Sequence, residues 1–323
     1  MKKSINLIPE TPIAEMVGLA THAEDLGFDR CWVYDEGLVT RDVYVTMAAI
    51  AAATERLEVG PGITNPYTRH PAQTASAVAS LDEATGGRAF LGIGAGGSLT
   101  LDPIGLARSR PLGAVRETIE VCRALFGGEA VDYDGEHVTL SSARLDYGRP
   151  EIEIWLAGRG PRMLQLGGAA ADGVMLDFIH RPSLGGYVDL VRTGAAPADR
   201  TPRICYSTAV VTDADDLEFV RPHMTYRLVD APPPVKEALG LGPDDVERIR
   251  SAMGGGLRAA ADHVRDEWIE PFIVRGTPAE CAATLSGLVR EHGFEEFLVP
   301  MFEMPDAHGY LTRVADVLGQ VVP

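Results

Sequence analysis

The sequence has few cysteines, no basic tract and no long apolar run, and each shortage removes a class of protein. Its four cysteines, Cys31, Cys122, Cys205 and Cys281, form no CxxC pair and have no histidine at ligand spacing, so neither a disulfide framework nor a zinc or other metal site is expected. Cys31 and Cys205 fall in strand-like runs and Cys122 and Cys281 in helix-like ones, which predicts buried thiols. With a net charge of −17 and no cluster of lysine or arginine, a nucleic-acid partner is excluded. The longest apolar runs, such as MAAIAAA from Met47, are far too short to span a bilayer. The two lysines of MKKSINLIPE have no signal-peptide core behind them, and together these shortages predict a cytoplasmic protein that does not enter membranes.

What the sequence does have is a regular alternation. Hydrophobic residues make up 46% of 323 positions, enough for a large core. Short β-branched runs alternate with helical patterns, the signature of βα units around a parallel sheet. The runs are INLI (5–8), RCWVY (30–34), LEVGPGI (57–63), RAFLGIGAG (88–96), EIEIWLAG (151–158), DGVMLDF (172–178), RICYSTAVV (203–211) and FEEFLVP (294–300). Helices are expected over about 12–26, with Thr11 as N-cap and Pro12 at the first helical position, over 42–54 and over 71–85. A weaker helix is expected near 183–192.

Two stretches break the rhythm. In residues 129–148 the Asp134-Gly135 pair between alternating segments predicts an inserted hairpin. Residues 219–268 carry APPP, GLGP and MGGG, which predict kinked or mobile helices near an active-site mouth. Eight strands, each followed by helical material, give an α/β fold: a single (β/α)8 TIM-barrel domain over 1–323 with insertions after strands four and seven. A doubly wound sheet opened by GIGAGGS is the competitor, but Leu99–Arg110 and Pro103 intervene where a dinucleotide fingerprint needs an immediate helix.

In such a barrel the chemistry sits at the C-terminal strand ends. Those ends supply Asn6, the Asp35-Glu36 pair, the segment GITNPYTRH, the sixth-strand end LDFIH (176–180), the turn Gly94, Ala95, Gly96, Gly97, Ser98, and the turn Ala157, Gly158, Arg159, Gly160, Pro161. The last of these leads into a helix whose amides, with Arg159 or Arg162, can hold a phosphate. Asp35 and Glu36 are either a solvated pair or half-buried carboxylates that bond a ligand ring or donate a proton. His70, ahead of Pro71, is expected to start a helix rather than act as a base. Tyr67 and Arg69 either reach a ligand or close their loop.

Three segments, AEDLGFDRCWVYDEGLVTRDVYVTMAAIAAAT, LEVGPGITNPYTRHPAQTASAVASLDEATGGRAFLGIGAG and IWLAGRGPRMLQLGGAAADGVML, resemble the bacterial luciferase-like superfamily. Within it they resemble the F420-dependent reductases of the methylenetetrahydromethanopterin reductase type. The resemblance implies a deazaflavin, coenzyme F420, at the barrel mouth and hydride transfer to a substrate over its free face. It also implies a non-prolyl cis peptide at Gly62–Ile63 backing the ring, Asp35 near the ring's polar edge, and Thr64 and Asn65 near the cofactor. Gly94 to Ser98 and Gly158 to Pro161 match loops that hold the tail phosphate, and relatives imply a homodimer. Two positions depart from the pattern. An Asp-His pair is Asp35-Glu36 here, and a first-strand glutamate thought to protonate the pterin is Asn6, which cannot serve as an acid and counts against methylene-pterin reduction.

The expected activity is therefore F420-dependent hydride transfer to or from a C=N, C=C or C=O bond of a small molecule, with Asp35, Glu36 and Asn6 as the candidate catalytic positions. Three competitors remain: an FMN-dependent luciferase-like monooxygenase, a flavin-independent reductase of a methylene-pterin or other substrate using NADH directly, and a non-catalytic relative that binds a ligand.

Overall fold

The computed structural model describes residues 1–322, the side chains of Ser98 and Leu99 excepted. Eight parallel strands form one sheet: β1 (Lys2–Leu7), β2 (Arg30–Val33), β3 (Glu58–Pro61), β4 (Leu91–Ile93), β5 (Ile154–Ala157), β6 (Gly173–Asp177), β7 (Arg203–Ser207) and β8 (Glu296–Met301). Each strand pairs with its neighbours in chain order, and β1 pairs with β8. Between β3 and β4 the ladder is reduced to two bridges, Val59 with Ala89 and Thr64 with Ile93, which close the (β/α)8 barrel.

The helices start and stop where local chemistry dictates. Helix 71–85 has Pro71 in its first turn, His70 Nδ1 accepting the Ala72 amide at 3.2 Å, and Gly86 in the left-handed region at its end. Helix 43–53 begins one residue after the expected start, because Asp42 is its cap and accepts the Val45 amide. The expectation for Thr11 fails: Pro12 occupies the N-cap position of helix 13–25 without a side-chain cap, and the Thr11 hydroxyl has no partner.

The hairpin falls between β4 and β5, with strands Val131–Asp134 and Thr139–Ala143. Its connecting amides, at Glu136, His137 and Val138, all donate to the Glu117 carboxylate of helix 111–126, which ties the insertion to the barrel wall. The run 203–211 divides in two. Arg203–Ser207 stays in the barrel, while Val210–Val211 pairs with Val274–Arg275 and brackets the second insertion. That insertion opens with helix 214–229, which begins in an Asp213/Asp216 capping box and tolerates Pro222 in its interior. Its apolar face, with Val220, Met224 and Leu228, forms a second core with Ile8, Phe178 and Phe302 at the barrel mouth, so the insertion roofs that end.

Inside the barrel the layers differ in chemistry. The middle layer is Trp32, Phe90, Trp155, Met175, Cys205 and Leu298. Trp32 packs edge-on against both Trp155 and Phe90. The layer towards the N-terminal strand ends is ionic. Arg30, wholly buried, donates to Glu58, to Glu153 at 2.9 Å and to Glu296 at 3.1 Å, and lies 4.4 Å over the Phe90 ring. Lys2 and Arg203 complete the set by pairing with Glu58 and Glu153. Charges on alternate inward positions would be costly alone, but three cations meet three carboxylates, and two tryptophan N–H groups donate to two of those carboxylates. All four cysteines are buried and unpaired. Among the described residues no helix is long and apolar enough to cross a membrane.

This ionic floor sets a stability prediction. Burial would raise Glu153, but Arg30, Trp155 and Arg203 pull it down to about 2, and Arg30 and Lys2 likewise hold Glu58 below its ordinary value despite burial. Depressed carboxylates stabilise the fold above their unfolded value and lose that contribution as pH falls through the folded one. Arg30→Met is expected to cost about 3–5 kcal/mol in urea unfolding at pH 7, because it takes from the buried Glu296 the cation it pairs with and leaves Glu58 and Glu153 to Lys2 and Arg203 alone. It should also flatten the loss of stability on acidification from 4.5 towards 2. A variant within about 1 kcal/mol of wild type, which is what an ordinary surface pair is worth, would contradict this account.

Candidate active site

The segment that follows β3 is both a structural seam and one wall of the mouth. Gly62 N–H donates to the Val33 carbonyl, the Gly62–Ile63 peptide is cis, and Thr64 then rejoins β4 through Thr64 N–H to Gly92 O and Gly94 N–H to Thr64 O, each 3.0 Å. The Ile63 side chain turns inward onto the Trp32 layer. A Cβ at Gly94 would lie 2.1 Å from Ile63 Cδ1 and 3.0 Å from the Ala157 carbonyl oxygen, so a larger residue would have to push the Ile63 side chain from its inward seat. Asn6, 1% exposed on β1, donates from Nδ2 to the Gly62 carbonyl at 3.0 Å, and its Oδ1 has no partner. Asn6 is thus placed as a clamp on the bulge rather than at the solvent side of the mouth.

Thr64 and Asn65 are likewise buried. The Thr64 hydroxyl donates to Asp35 Oδ2 at 2.6 Å. Burial raises the Asp35 carboxyl, while the Thr64 hydrogen bond and Arg69 oppose the rise. Asn65 Oδ1 accepts the amides of Tyr67 and Thr68, an Asx turn that shapes the loop, and leaves Asn65 Nδ2 buried without an acceptor. Tyr67 and Arg69 close this loop: the Tyr67 hydroxyl donates to the Ser109 carbonyl, and the Arg69 guanidinium lies 4.2 Å over the Tyr44 ring.

The two glycine turns flank this wall. Gly96 has φ +71°, and an added Cβ would press on Asn65 Cβ and Leu101 Cδ1 at 3.2 Å, so only glycine suits it. Its carbonyl accepts from Arg108. Gly97 is exposed, and the Ser98 side chain lies outside the described residues. On the β5 side, Gly160 caps helix 161–170 with Pro161 in the first turn and no side chain on the free amides. Arg162 is exposed; Arg159 instead reaches into the mouth, 3.5 Å from Asp177 Oδ2.

Asp177 begins a set that was not singled out in the sequence. At the end of β6 it accepts from Ser207 Oγ at 2.9 Å and from Arg227 at 3.0 Å. Arg227, its side chain 3% exposed, comes from roof helix 214–229 and lies 4.1 Å over the Phe178 ring. Although burial pushes Asp177 up, Arg227 and Arg159 hold it below the usual carboxylate range. Glu36 is the opposite case. Burial raises it, its acidic neighbours Glu10, Asp177 and Asp35 add to the rise, and Arg227 opposes it. From the roof, His223 stacks 4.0 Å from Phe302, and burial and Arg227 push its imidazole down to about 3, so it is neutral at pH 7. Two carboxylates near enough to act on each other, with opposed proton affinities, are the pattern of an acid and a fixed anion.

The sequence model of the luciferase-like monooxygenase family matches residues 3–296. The chain belongs to this family. Within it the chain is similar to the 5,10-methylenetetrahydromethanopterin reductase of Archaeoglobus fulgidus, at 34% identity over 89% of this chain and 90% of that protein. It is also similar to the enzyme of the same name from Methanolobus tindarius, at 32% identity over 90% and 91%. Among solved structures, the coenzyme F420-dependent tetrahydromethanopterin reductase of Methanopyrus kandleri superposes with a TM-score of 0.88, at 28% identity, covering 97% of each chain. Coverage of 97% carries the match through the roof insertion, so this part of the fold is shared in shape.

Proposed function

We propose that the chain transfers hydride between coenzyme F420 and a small organic substrate with a C=N, C=C or C=O bond at the barrel mouth. The observation that carries this reading is the convergence of the Gly62–Asn65 wall with both glycine turns and two carboxylates of opposed proton affinity, in a chain similar to an F420-dependent reductase over 97% of its length.

The residues present fit a deazaflavin with an anionic tail. Asn65 Nδ2 is a buried donor without a partner beside the Gly96 turn, and the helix 161–170 amides at Gly160 have no side-chain cap. Bound there, F420 would supply the two-electron hydride step, and the chain supplies position and electrostatics. Asn6 fixes the Gly62 carbonyl, which holds the bulge against the β2 end. Thr64 orients Asp35 towards the polar edge of the site. Glu36, whose proton affinity burial raises, is the carboxyl placed to pass a proton to the reduced substrate atom. Asn6 cannot do this, so the acid sits on the second strand rather than the first. The roof excludes water from this exchange.

We place the protein in the cytoplasm, in keeping with four free, buried thiols, and read its partner as a small molecule rather than a nucleic acid. We further propose a homodimer. Helix 43–53, VYVTMAAIAAA, carries no charge, yet Val45 is 57% exposed. A helix apolar all round is normally covered on every side. A groove of about 270 Å³ between it and helix 71–85, lined by Tyr44, Met47, Ala48, Ala51, Ala77 and Leu81, suits close approach of the same helices of a second copy. Ala48→Glu is expected to convert the dimer to monomer in light scattering; an unchanged mass, or a monomeric wild type, would refute this interface.

The activity test is reoxidation of reduced F420 with a panel of imines, enones and ketones. Wild-type turnover in the reductive direction should be highest at low pH and fall as pH rises through the Glu36 value. Glu36→Gln is expected to lower it about 10²–10⁴-fold and abolish that limb. A variant that keeps both rate and limb removes Glu36 from the role.

A further inference from the structure

Asp177 lies where three separately built parts of the mouth meet. Its Oδ1 accepts from Ser207 at the end of β7, and its Oδ2 is shared by two guanidiniums, Arg227 at 3.0 Å and Arg159 at 3.5 Å. The two arginines are held very differently. Arg227 is 3% exposed, donates also to the His223 carbonyl at 2.7 Å and is stacked against Phe178, so it cannot leave without taking roof helix 214–229 with it. Arg159 is 39% exposed, longer in its contact and carried on the turn ahead of helix 161–170, so it can rotate away at little cost. That turn is the one whose helix amides no side chain caps.

We propose that Asp177 is a positioning residue that couples occupation of the Ala157–Pro161 anion site to the seating of the roof helix, with Arg159 as the movable partner and Arg227 as the fixed one. This rests on the reading of that turn as the holder of the coenzyme's anionic tail. An anion at Gly160 draws the Arg159 guanidinium outward, because a phosphoryl oxygen is a better bidentate acceptor than a carboxylate oxygen already engaged by Arg227. Asp177 Oδ2 then belongs to Arg227 alone, and the roof is held more tightly over the mouth. When the anion leaves, Arg159 returns and competes with Arg227 for the same oxygen. No bond is made or broken in this cycle; one ion pair is exchanged for another.

The test is hydrogen–deuterium exchange of roof amides 214–229 in the full-length protein, with and without F420, and separately with inorganic phosphate. In wild type both ligands should slow exchange of these amides, phosphate more weakly. Arg159→Gln, a change at a half-exposed side chain that leaves the core intact, should weaken F420 binding about three- to tenfold. In that variant roof exchange should already be slow without ligand and should no longer respond to saturating F420 or phosphate. Asp177→Asn should give fast roof exchange that neither ligand changes. If F420 binds wild type while roof exchange stays unchanged, or if Arg159→Gln keeps the full ligand response, the coupling is wrong. If F420 fails to bind but phosphate slows the roof in wild type and not in Arg159→Gln, the coupling stands and the coenzyme reading falls; if phosphate is also without effect, both fall.

Discussion

Between the third and fourth strands the barrel has no continuous ladder: Val59 bridges to Ala89 towards the floor, and at the mouth closure rests on the Thr64 amide and carbonyl, bonded to Gly92 and Gly94. Everything at the mouth is referenced to that stitch. It fixes where Gly62 and Ile63 leave the sheet, which side chain faces inward, and where Asn65 starts the loop that supports the Gly96 turn. Asn6 reinforces it from the first strand by holding the Gly62 carbonyl. A barrel closed by a regular ladder here would have neither the inward Ile63 nor the hydroxyl of Thr64 pointed at Asp35.

The two ends of the barrel use charge in opposite ways. At the floor, three cations and three carboxylates are matched in number, and Arg30 is sealed under aromatic rings. That arrangement suits a structural plug, in keeping with the N-terminal face of this fold as the stability face. At the mouth the matching is incomplete. Asp177 is paired and ionised, whereas Glu36 is surrounded by more acid than base and holds its proton more strongly. Buried amide groups of Asn6 and Asn65 also lack partners there. Buried polar atoms without partners beside the glycine turn are groups that a ligand can bond.

The barrel was legible in the sequence because its signals are local. Period-two and period-three-to-four patterns place all eight strands and helices 13–25, 43–53, 71–85 and 184–195, and the Asp134-Gly135 turn places the hairpin. Failures have physical causes. The first strand begins at Lys2 rather than Ile5 because Lys2 serves the ionic floor, which no apolar pattern reveals. The fourth strand shrinks from the expected run to Leu91–Ile93 because the seam takes over the hydrogen bonds of Gly92 and Gly94. Helix 214–229 was blurred by Pro222, which breaks propensity but not this helix. At the site, strand-end residues such as Asp35, Glu36 and Asn6 were visible by position alone. Arg227 and His223 were not, because nothing local shows that a helix 50 residues past Asp177 folds back over it. Asp177 stood within the strand end LDFIH, but no local signal showed that it would be paired from the roof.

The resemblance to methanopterin reductases implies an acid on the first strand where this chain has Asn6, and a histidine after Asp35 where it has Glu36. The amide has a structural task at the seam, so the acid cannot simply be restored there, and Glu36 stands where buried proton affinity is high. The central claim is that the mouth is built for a deazaflavin, and equilibrium titration of the purified protein with F420 and with FMN tests it most directly. The account predicts saturable, stoichiometric F420 binding that FMN does not displace; tight FMN binding that excludes F420 would contradict it.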